Sequence, residues 1–151
     1  MFVGTYRHRL DAKGRVSVPA QFRRELPDGS VVAVGPDGRL MIWPPDEWGA
    51  LEARYRLTSE TGAEERKLIR ITFGSARNFE LDVQGRMLIV PEHRAFAQVG
   101  DTAVFTGVGN AVEIVGAEVW DADTGSLDAA TFTQLHDRVN QRGSPLQPSP
   151  A

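Results

Sequence analysis

The same short motif occurs twice in this chain of 151 residues. The stretch LDAKGRVSVP occupies residues 10–19, and LDVQGRMLIVP occupies residues 81–91. Both begin with L-D-x-x-G-R and continue into an apolar run that ends in proline. This duplication restricts the possible folds more than any other feature of the sequence, because both copies are expected to build the same local structure.

The duplication extends beyond the motif. At a shift of 71 positions, which becomes 72 after one inserted residue, apolar residues and prolines match in order. The matched pairs include Phe2 and Phe73, Leu10 and Leu81, Pro19 and Pro91, Ile42 and Ile114, and Trp48 and Trp120. A unit of about 45 residues is too small to bury a good core alone. We therefore expect the two copies to pack around a pseudo-twofold axis and to share one core.

Each copy is predicted to be rich in β-structure. TYRHRLD and the β-branched run RVSVP flank a turn at which Gly14 supplies a positive φ. SVVAVG and RLMIW predict a hairpin, as do DTAVFTG and AVEIV in the second copy. PPDEWGALEARYRL, TGAEERKLIRIT and LDAATFTQLHDRV predict helices. The predicted fold class is α+β, mainly β, with peripheral helices.

These patterns divide the chain into five predicted segments. They are a first repeat at 1–50, a helical linker at 51–72, a second repeat at 73–120, a C-terminal helix at 121–140 and a disordered tail at 141–151.

Composition argues against several classes of protein. The chain has no cysteine, and its three histidines do not stand at metal-ligand spacing. We find no nucleophile elbow, phosphate-binding loop or dinucleotide fingerprint. The sequence has no apolar run of about 20 residues and no signal peptide. We therefore expect a cytoplasmic protein that is not an enzyme, with no cofactor, metal, small-molecule substrate or membrane partner.

Charge is distributed unevenly. Net charge is −3, yet residues 1–26 carry a balance of +4, so the remainder sums to −7. A basic end on an acidic body suggests a polyanion as the partner.

The motif itself has two interpretations. Asp11 with Arg15, and Asp82 with Arg86, flank tight turns, and both arginines can serve as structural ion-pair partners. Alternatively, the arginines stand on a β-ribbon that enters the major groove of DNA. The first copy favours DNA, because its aspartate is surrounded in sequence by more cations than it can neutralise: Arg7, Arg9, Lys13 and Arg15. The DNA interpretation fails if both arginines are turned inward and neutralised by carboxylates.

Other basic residues are ambiguous. Arg23 and Arg24 either extend this surface or form a solvated helical face. The second motif is less basic, since Gln84 stands where the first has a lysine.

Taken together, the opening MFVGTYRHRLDAKGRVSVPAQFRREL, the two D-x-x-G-R units and their offset resemble the MraZ family of bacterial transcriptional regulators. The resemblance covers about residues 1–140. It implies a tandem AbrB-like swapped-hairpin β-barrel that forms an intramolecular pseudo-dimer, and ring-shaped homo-oligomers. It also implies a nucleoid-associated repressor that binds repeated promoter boxes of the division and cell-wall gene cluster.

The resemblance also implies roles for individual residues. The DNA-binding arginines would be Arg15 and Arg86, with the first motif's basic surroundings contributing. Those neighbours are Lys13, Arg7 and Arg9, while the residues that shape the turns are Asp11, Gly14, Asp82 and Gly85. Two alternatives remain: an AbrB-like antitoxin module that binds a partner protein, and an RNA-binding protein. The absence of an aromatic stripe on the strands argues against RNA.

Overall fold

The computed structural model describes residues 1–58, 62–125 and 127–143. The strands are β1 (Thr5–Arg9), β2 (Arg15–Ser17), β3 (Val31–Val34), β4 (Leu40–Trp43), β5 (Arg77–Asn78), β6 (Arg86–Leu88), β7 (Thr102–Gly107) and β8 (Val112–Gly116). The helices are α1 (Ala20–Arg23), α2 (Pro45–Thr58), α3 (Ala63–Ser75), α4 (Pro91–Phe96), α5 (Ala117–Asp123) and α6 (Ala129–Gln141). Most of the predicted tail, residues 144–151, lies outside the described residues.

The strands form two sheets that combine both repeats. Six strands form one sheet in the order β1-β7-β8-β4-β3-β5, and β2 pairs with β6 in a separate two-stranded ribbon. All of these pairings are antiparallel. If each strand is replaced by its counterpart in the other repeat, the order becomes β5-β3-β4-β8-β7-β1, which is the same sheet read from its other edge. The sheet topology therefore has the pseudo-twofold character expected of a duplicated chain that shares one core.

The predicted hairpins are confirmed at two places and wrong at a third. The pairs β3–β4 and β7–β8 follow the prediction. β1 and β2, however, are joined only by an isolated bridge between Leu10 and Val16. β1 pairs along its whole length with β7, and β2 pairs with β6. β7 is long enough to pair with all five residues of β1, whereas β2 contains only three residues. The ribbon at the motif is thus formed between repeats.

The core draws on both repeats. Fully buried side chains include Phe22, Leu40 and Ile42 from the first repeat and Phe105 and Ile114 from the second. Alternation along the strands produces this arrangement, because successive side chains of a strand point to opposite faces. Neither repeat has a separate core, which agrees with the small size of each unit.

The helices largely follow the sequence patterns. Trp48 and Tyr55 of α2 both pack edge-on against Phe73 of α3, with ring centroids 5.0 and 5.9 Å apart. α3 continues to Ser75, past the predicted start of the second repeat. Phe73 is therefore helical, whereas Phe2, its match in the sequence alignment, bridges to Gly109 in extended conformation.

The chain separates into two compact units, residues 1–119 and 120–151. The first contains both sheets and α1–α4. In the second, α6 begins at an N-cap where the Asp128 carboxylate accepts a hydrogen bond of 2.7 Å from the Thr131 amide. The structure is thus mixed α and β with an antiparallel sheet, which confirms the predicted class at this level. Among the described helices, none combines the length and apolar character that a membrane crossing requires.

Candidate nucleic-acid interface

The first motif folds into a tight turn that is held by its own aspartate. One carboxylate oxygen of Asp11 accepts hydrogen bonds of 2.9 Å from the backbone amides of both Lys13 and Arg15. The Gly14 amide donates to the Asp11 carbonyl at 3.1 Å. Gly14 has φ of +82°, a conformation that favours glycine. The predicted turn is therefore confirmed, including the need for glycine.

The second motif repeats this geometry. The Asp82 carboxylate accepts from the amides of Gln84 and Arg86 at 2.9 and 3.0 Å. Gly85 has φ of +76°. Because lysine and glutamine contribute only their backbone amides here, the same turn forms with either side chain.

Each aspartate also binds the arginine of its own motif. Nε of Arg15 lies 2.8 Å from Asp11 Oδ2, and Nε of Arg86 lies 2.9 Å from Asp82 Oδ2. The backbone hydrogen bond from the arginine is the largest cause that lowers the pKa of each aspartate, and desolvation, the next largest, acts in the opposite direction without reversing the shift. Both carboxylates are therefore ionised at neutral pH and balance the charge of one guanidinium each.

The two motifs meet across the β2–β6 ribbon. Nη1 of Arg86 lies 3.3 Å from Asp11 Oδ2, so this arginine contacts the aspartates of both repeats. In the ribbon, Val16 and Met87 are opposite each other and buried in the core. Alternation places the side chains on either side of them on the outer face: Arg15, Ser17, Arg86 and Leu88. The structure thus combines both motif arginines on one exposed face.

The two arginines are paired but not turned inward. Their side chains remain 36 % exposed for Arg15 and 25 % exposed for Arg86. The ion pairs expected by the structural interpretation are therefore present. They differ in extent, however. Within the described residues, Arg15 pairs through Nε alone, whereas Arg86 pairs through Nε and one terminal nitrogen. Arg15 keeps both terminal NH2 groups for another partner.

The other predicted cations are exposed to solvent. Lys13 is exposed at the tip of the first turn. Arg7 and Arg9 are exposed on β1, while Tyr6 and His8, which alternate with them, are partly buried. Arg9 lies 3.9 Å from Asp101, and both side chains are 81 % exposed, so this pair contributes little.

Asp11 pairs with arginines from both repeats. Its side-chain partners are Arg15 and, across the repeats, Arg86. β1 is held on the sheet by β7 along its whole length.

Arg23, whose role the sequence left open, and Arg94 lie beside the motif glycines. The guanidinium of Arg23 occupies the space next to Gly85, with Cζ 2.9 Å from where a Cβ on that glycine would be. Nη1 of Arg94 lies 3.8 Å from the corresponding point at Gly14. Each repeat therefore places an arginine against the turn of the other repeat. The sequence gives no signal for this crossing, because it depends on how β2 and β6 pair.

The aspartates give this site a predicted pH dependence. A carboxyl group whose folded pKa is lowered contributes stability above its unfolded pKa, near 3.8 for both groups, and that stability is lost as pH falls through the lowered folded value. We expect Asp11→Asn/Asp82→Asn to be less stable than the unmodified chain at neutral pH. Thermal unfolding across an acid titration should show this difference shrinking below the unfolded pKa. A difference that is constant with pH would contradict the assignment.

Comparison with known proteins assigns the chain to a family. The chain matches the family model for the MraZ protein over residues 1–70 and 72–143, and the description of that model likens the family to antitoxins. The chain belongs to the MraZ family. Proteins named "Transcriptional regulator MraZ" are 41 % identical over 140 residues in Desulfitobacterium hafniense strain DCB-2 and 36 % identical over 139 residues in Desulforamulus reducens. These alignments cover 93 % and 92 % of this chain and 98 % and 97 % of those relatives.

The MraZ match confirms the resemblance inferred from the two motifs. Its two matched segments divide the chain close to the 71-residue repeat. The names of the relatives describe regulators of transcription, so this MraZ-family chain is a member of a transcriptional-regulator family rather than of an enzyme family.

Proposed function

We propose that this chain is a sequence-specific DNA-binding repressor that recognises repeated promoter boxes of the division and cell-wall gene cluster. It acts as a ring-shaped homo-oligomer in the cytoplasm, associated with the nucleoid. The observation that carries the proposal is the joining of two D-x-x-G-R turns on one exposed ribbon face, in a chain whose family members are named transcriptional regulators.

The proposed architecture is a tandem AbrB-like swapped-hairpin barrel. Three features of the sheets support it: β1 pairs with the second repeat's β7, β3 pairs with the second repeat's β5, and β2 pairs with β6. Each repeat thus completes the sheet of the other. In this architecture the single chain takes the place of a dimer of half-length chains.

Arg15 is the main base-reading residue in this proposal. An arginine can donate two hydrogen bonds to O6 and N7 of guanine in the major groove. The bond from Nε to Asp11 restrains the guanidinium group and leaves its terminal nitrogens to donate to the base. Because the side chain is already restrained before binding, less conformational entropy is lost when it contacts DNA.

The remaining cations extend this contact. Arg86 shares two carboxylates and therefore contributes a smaller net charge than Arg15. Lys13, Arg7 and Arg9 bind phosphates, which position the protein without reading sequence. A chain of net charge −3 is expected to bind weakly through one such face. A ring presents the face several times along repeated boxes, and the high effective concentration raises the overall affinity.

A footprint of the purified protein on its own upstream DNA tests the proposal. We expect protected segments that recur at a regular spacing, together with higher promoter activity when the gene is deleted. Uniform or absent protection would overturn sequence-specific binding, and reduced promoter activity after deletion would overturn repression.

Salt dependence is a second prediction. Each phosphate neutralised by a cation contributes about 0.9 to the log–log slope of affinity against salt concentration. We expect a steep decrease in binding as salt rises, measured by fluorescence anisotropy with labelled promoter DNA. A flat profile would contradict a basic reading face.

Arg86→Ala is expected to weaken DNA binding less than the same change at Arg15. Its guanidinium already contacts Asp82 and Asp11, so its removal releases two carboxylates and loosens the link between the repeats. Both the dissociation constant and the unfolding midpoint should be measured. An equal loss of binding in the two variants would show that the two motifs contribute equally.

The antitoxin module remains a second candidate, because the description of the matching family model likens the family to antitoxins. An antitoxin requires a toxin gene beside its own and forms a stable complex with that protein. A regulator binds its upstream DNA with no partner present. The neighbouring gene therefore separates the two functions: cell-wall genes favour the regulator, and a toxin gene whose product co-purifies with this chain favours the antitoxin.

A further inference from the structure

We propose that Arg23 is a phosphate-binding residue of the second turn, and that it supplies from the first repeat the cation that this turn lacks at Gln84. The inference rests on the proposed DNA-binding function and adds a contact residue to it.

The position of Arg23 relative to the second turn is the first argument. A Cβ on Gly85 would overlap Nη1 of Arg23 and would lie 2.9 Å from its Cζ. The guanidinium therefore lies directly against the backbone of the turn that ends in Arg86. Arg23 is the last residue of α1, and its side chain is partly buried. Burial along the stem and the neighbouring turn restrict where the charged group can go.

The availability of its hydrogen-bond donors is the second argument. Within residues 1–58, 62–125 and 127–143, the Arg23 side chain makes no ion pair and no hydrogen bond. Its counterpart Arg94 is engaged differently: Nε donates to the Val99 carbonyl at 3.0 Å and Nη2 to the Gly100 carbonyl at 2.8 Å. Arg94 is thus a structural residue that ties α4 to the following loop. Arg23 has five N–H donors with no protein acceptor among the described residues.

Charge balance at the two turns is the third argument. The first turn carries Asp11, Lys13 and Arg15, a balance of +1. The second carries only Asp82 and Arg86, a balance of zero, because glutamine replaces lysine. Arg23 at Gly85 brings the balance of the second turn to +1.

A DNA phosphate is the ligand that fits this group. Guanidinium groups bind phosphate oxygens through two parallel N–H donors, and such charge-assisted bonds are stronger than neutral ones. Contacts to the DNA backbone come largely from arginine and lysine side chains beside the base-reading elements. Arg23 lies beside the proposed reading face and has no carboxylate to neutralise it among the described residues.

The test uses the full-length chain and three variants at this position or its neighbour. Arg23→Gln keeps the side-chain stem over Gly85 and removes the charge, while Arg23→Lys keeps the charge. Arg24→Gln is the matched control, because this neighbouring arginine is exposed and is not among the groups closest to Gly85. Binding to labelled promoter DNA is measured by anisotropy across a salt series, and thermal unfolding verifies that each variant is folded.

We expect Arg23→Gln to weaken binding several-fold and to reduce the salt slope by about 0.9 per proposed contact, with the same factor for a promoter box and for a mutated box. A ring would multiply the change in slope by the number of engaged copies. Arg23→Lys should retain most of the binding, and Arg24→Gln should leave the slope unchanged. Adding Gln84→Lys to Arg23→Gln should restore binding, since it returns the cation to the same turn.

Equal salt slopes for Arg23→Gln and the unmodified chain would overturn the inference, as would an equal effect of Arg24→Gln. If Arg15→Ala abolishes binding while Arg23→Gln does not change it, only this inference fails. If the unmodified chain shows no salt-dependent DNA binding, the proposed function fails and this inference fails with it.

Discussion

Replacing Arg15 by alanine is expected to reduce promoter binding roughly 5- to 150-fold, because a bidentate arginine–guanine contact contributes roughly 1–3 kcal/mol of discrimination. In an oligomer that engages several boxes the loss is larger, since every copy is affected. The structure favours this residue because its guanidinium is held by Asp11 through Nε alone and remains 36 % exposed.

Stability should change little in the same variant. An exposed or half-exposed ion pair contributes about 0–1 kcal/mol, and Asp11 keeps Arg86 as a partner. Anisotropy gives the dissociation constant, and denaturant unfolding gives the stability. Arg54→Ala is a suitable control, because this exposed arginine lies on α2, away from the ribbon. Unchanged binding by a folded Arg15→Ala protein would remove the central residue from the proposal.

Replacing Phe105 by alanine is expected to lower the free energy of unfolding by about 3–5 kcal/mol, the usual cost of removing a large buried aromatic side chain. Phe105 is completely buried in β7. Its neighbours in register are Tyr6 on β1 and Ile114 on β8, one from each repeat. A domain of ordinary stability has only about 5–15 kcal/mol in total, so much of it would be lost.

The way in which the variant unfolds tests the shared core. We expect both repeats within residues 1–119 to unfold in one transition, because the buried cluster draws on both of them. Hydrogen exchange followed by mass spectrometry can compare β3–β4 with β7–β8 during denaturation. Phe96→Ala is the control, since this phenylalanine is 40 % exposed and its loss should have a small effect. Separate transitions for the two repeats would contradict a common core.

Local patterns predicted much of the secondary structure correctly. Hairpins β3–β4 and β7–β8 and the helices α2, α3 and α6 follow from periodicity, turn residues and caps within short stretches of chain. The motif turn could be predicted equally well, because Asp11, Gly14 and Arg15 lie within five residues and interact with one another. Interactions at this range depend little on the remainder of the fold.

The partners of these elements could not be predicted in the same way. The expected ribbon of β1 and β2 is replaced by β1 with β7 and β2 with β6, because strand pairing is decided by which edges meet after the repeats interlock. The contact of Arg86 with Asp11 joins residues 75 positions apart. The position of Arg23 beside Gly85 likewise depends on the second repeat.

The sequence by itself determined that this protein is a duplicated, β-rich chain with an Asp–Arg turn in each repeat, since the motifs and their spacing are local and are written twice. Only the tertiary structure decided that the two turns share one ribbon and that their arginines are unequal. The physical reason is that side-chain charges are balanced by whichever groups the fold brings within a few ångströms, and such neighbours come from distant parts of the chain.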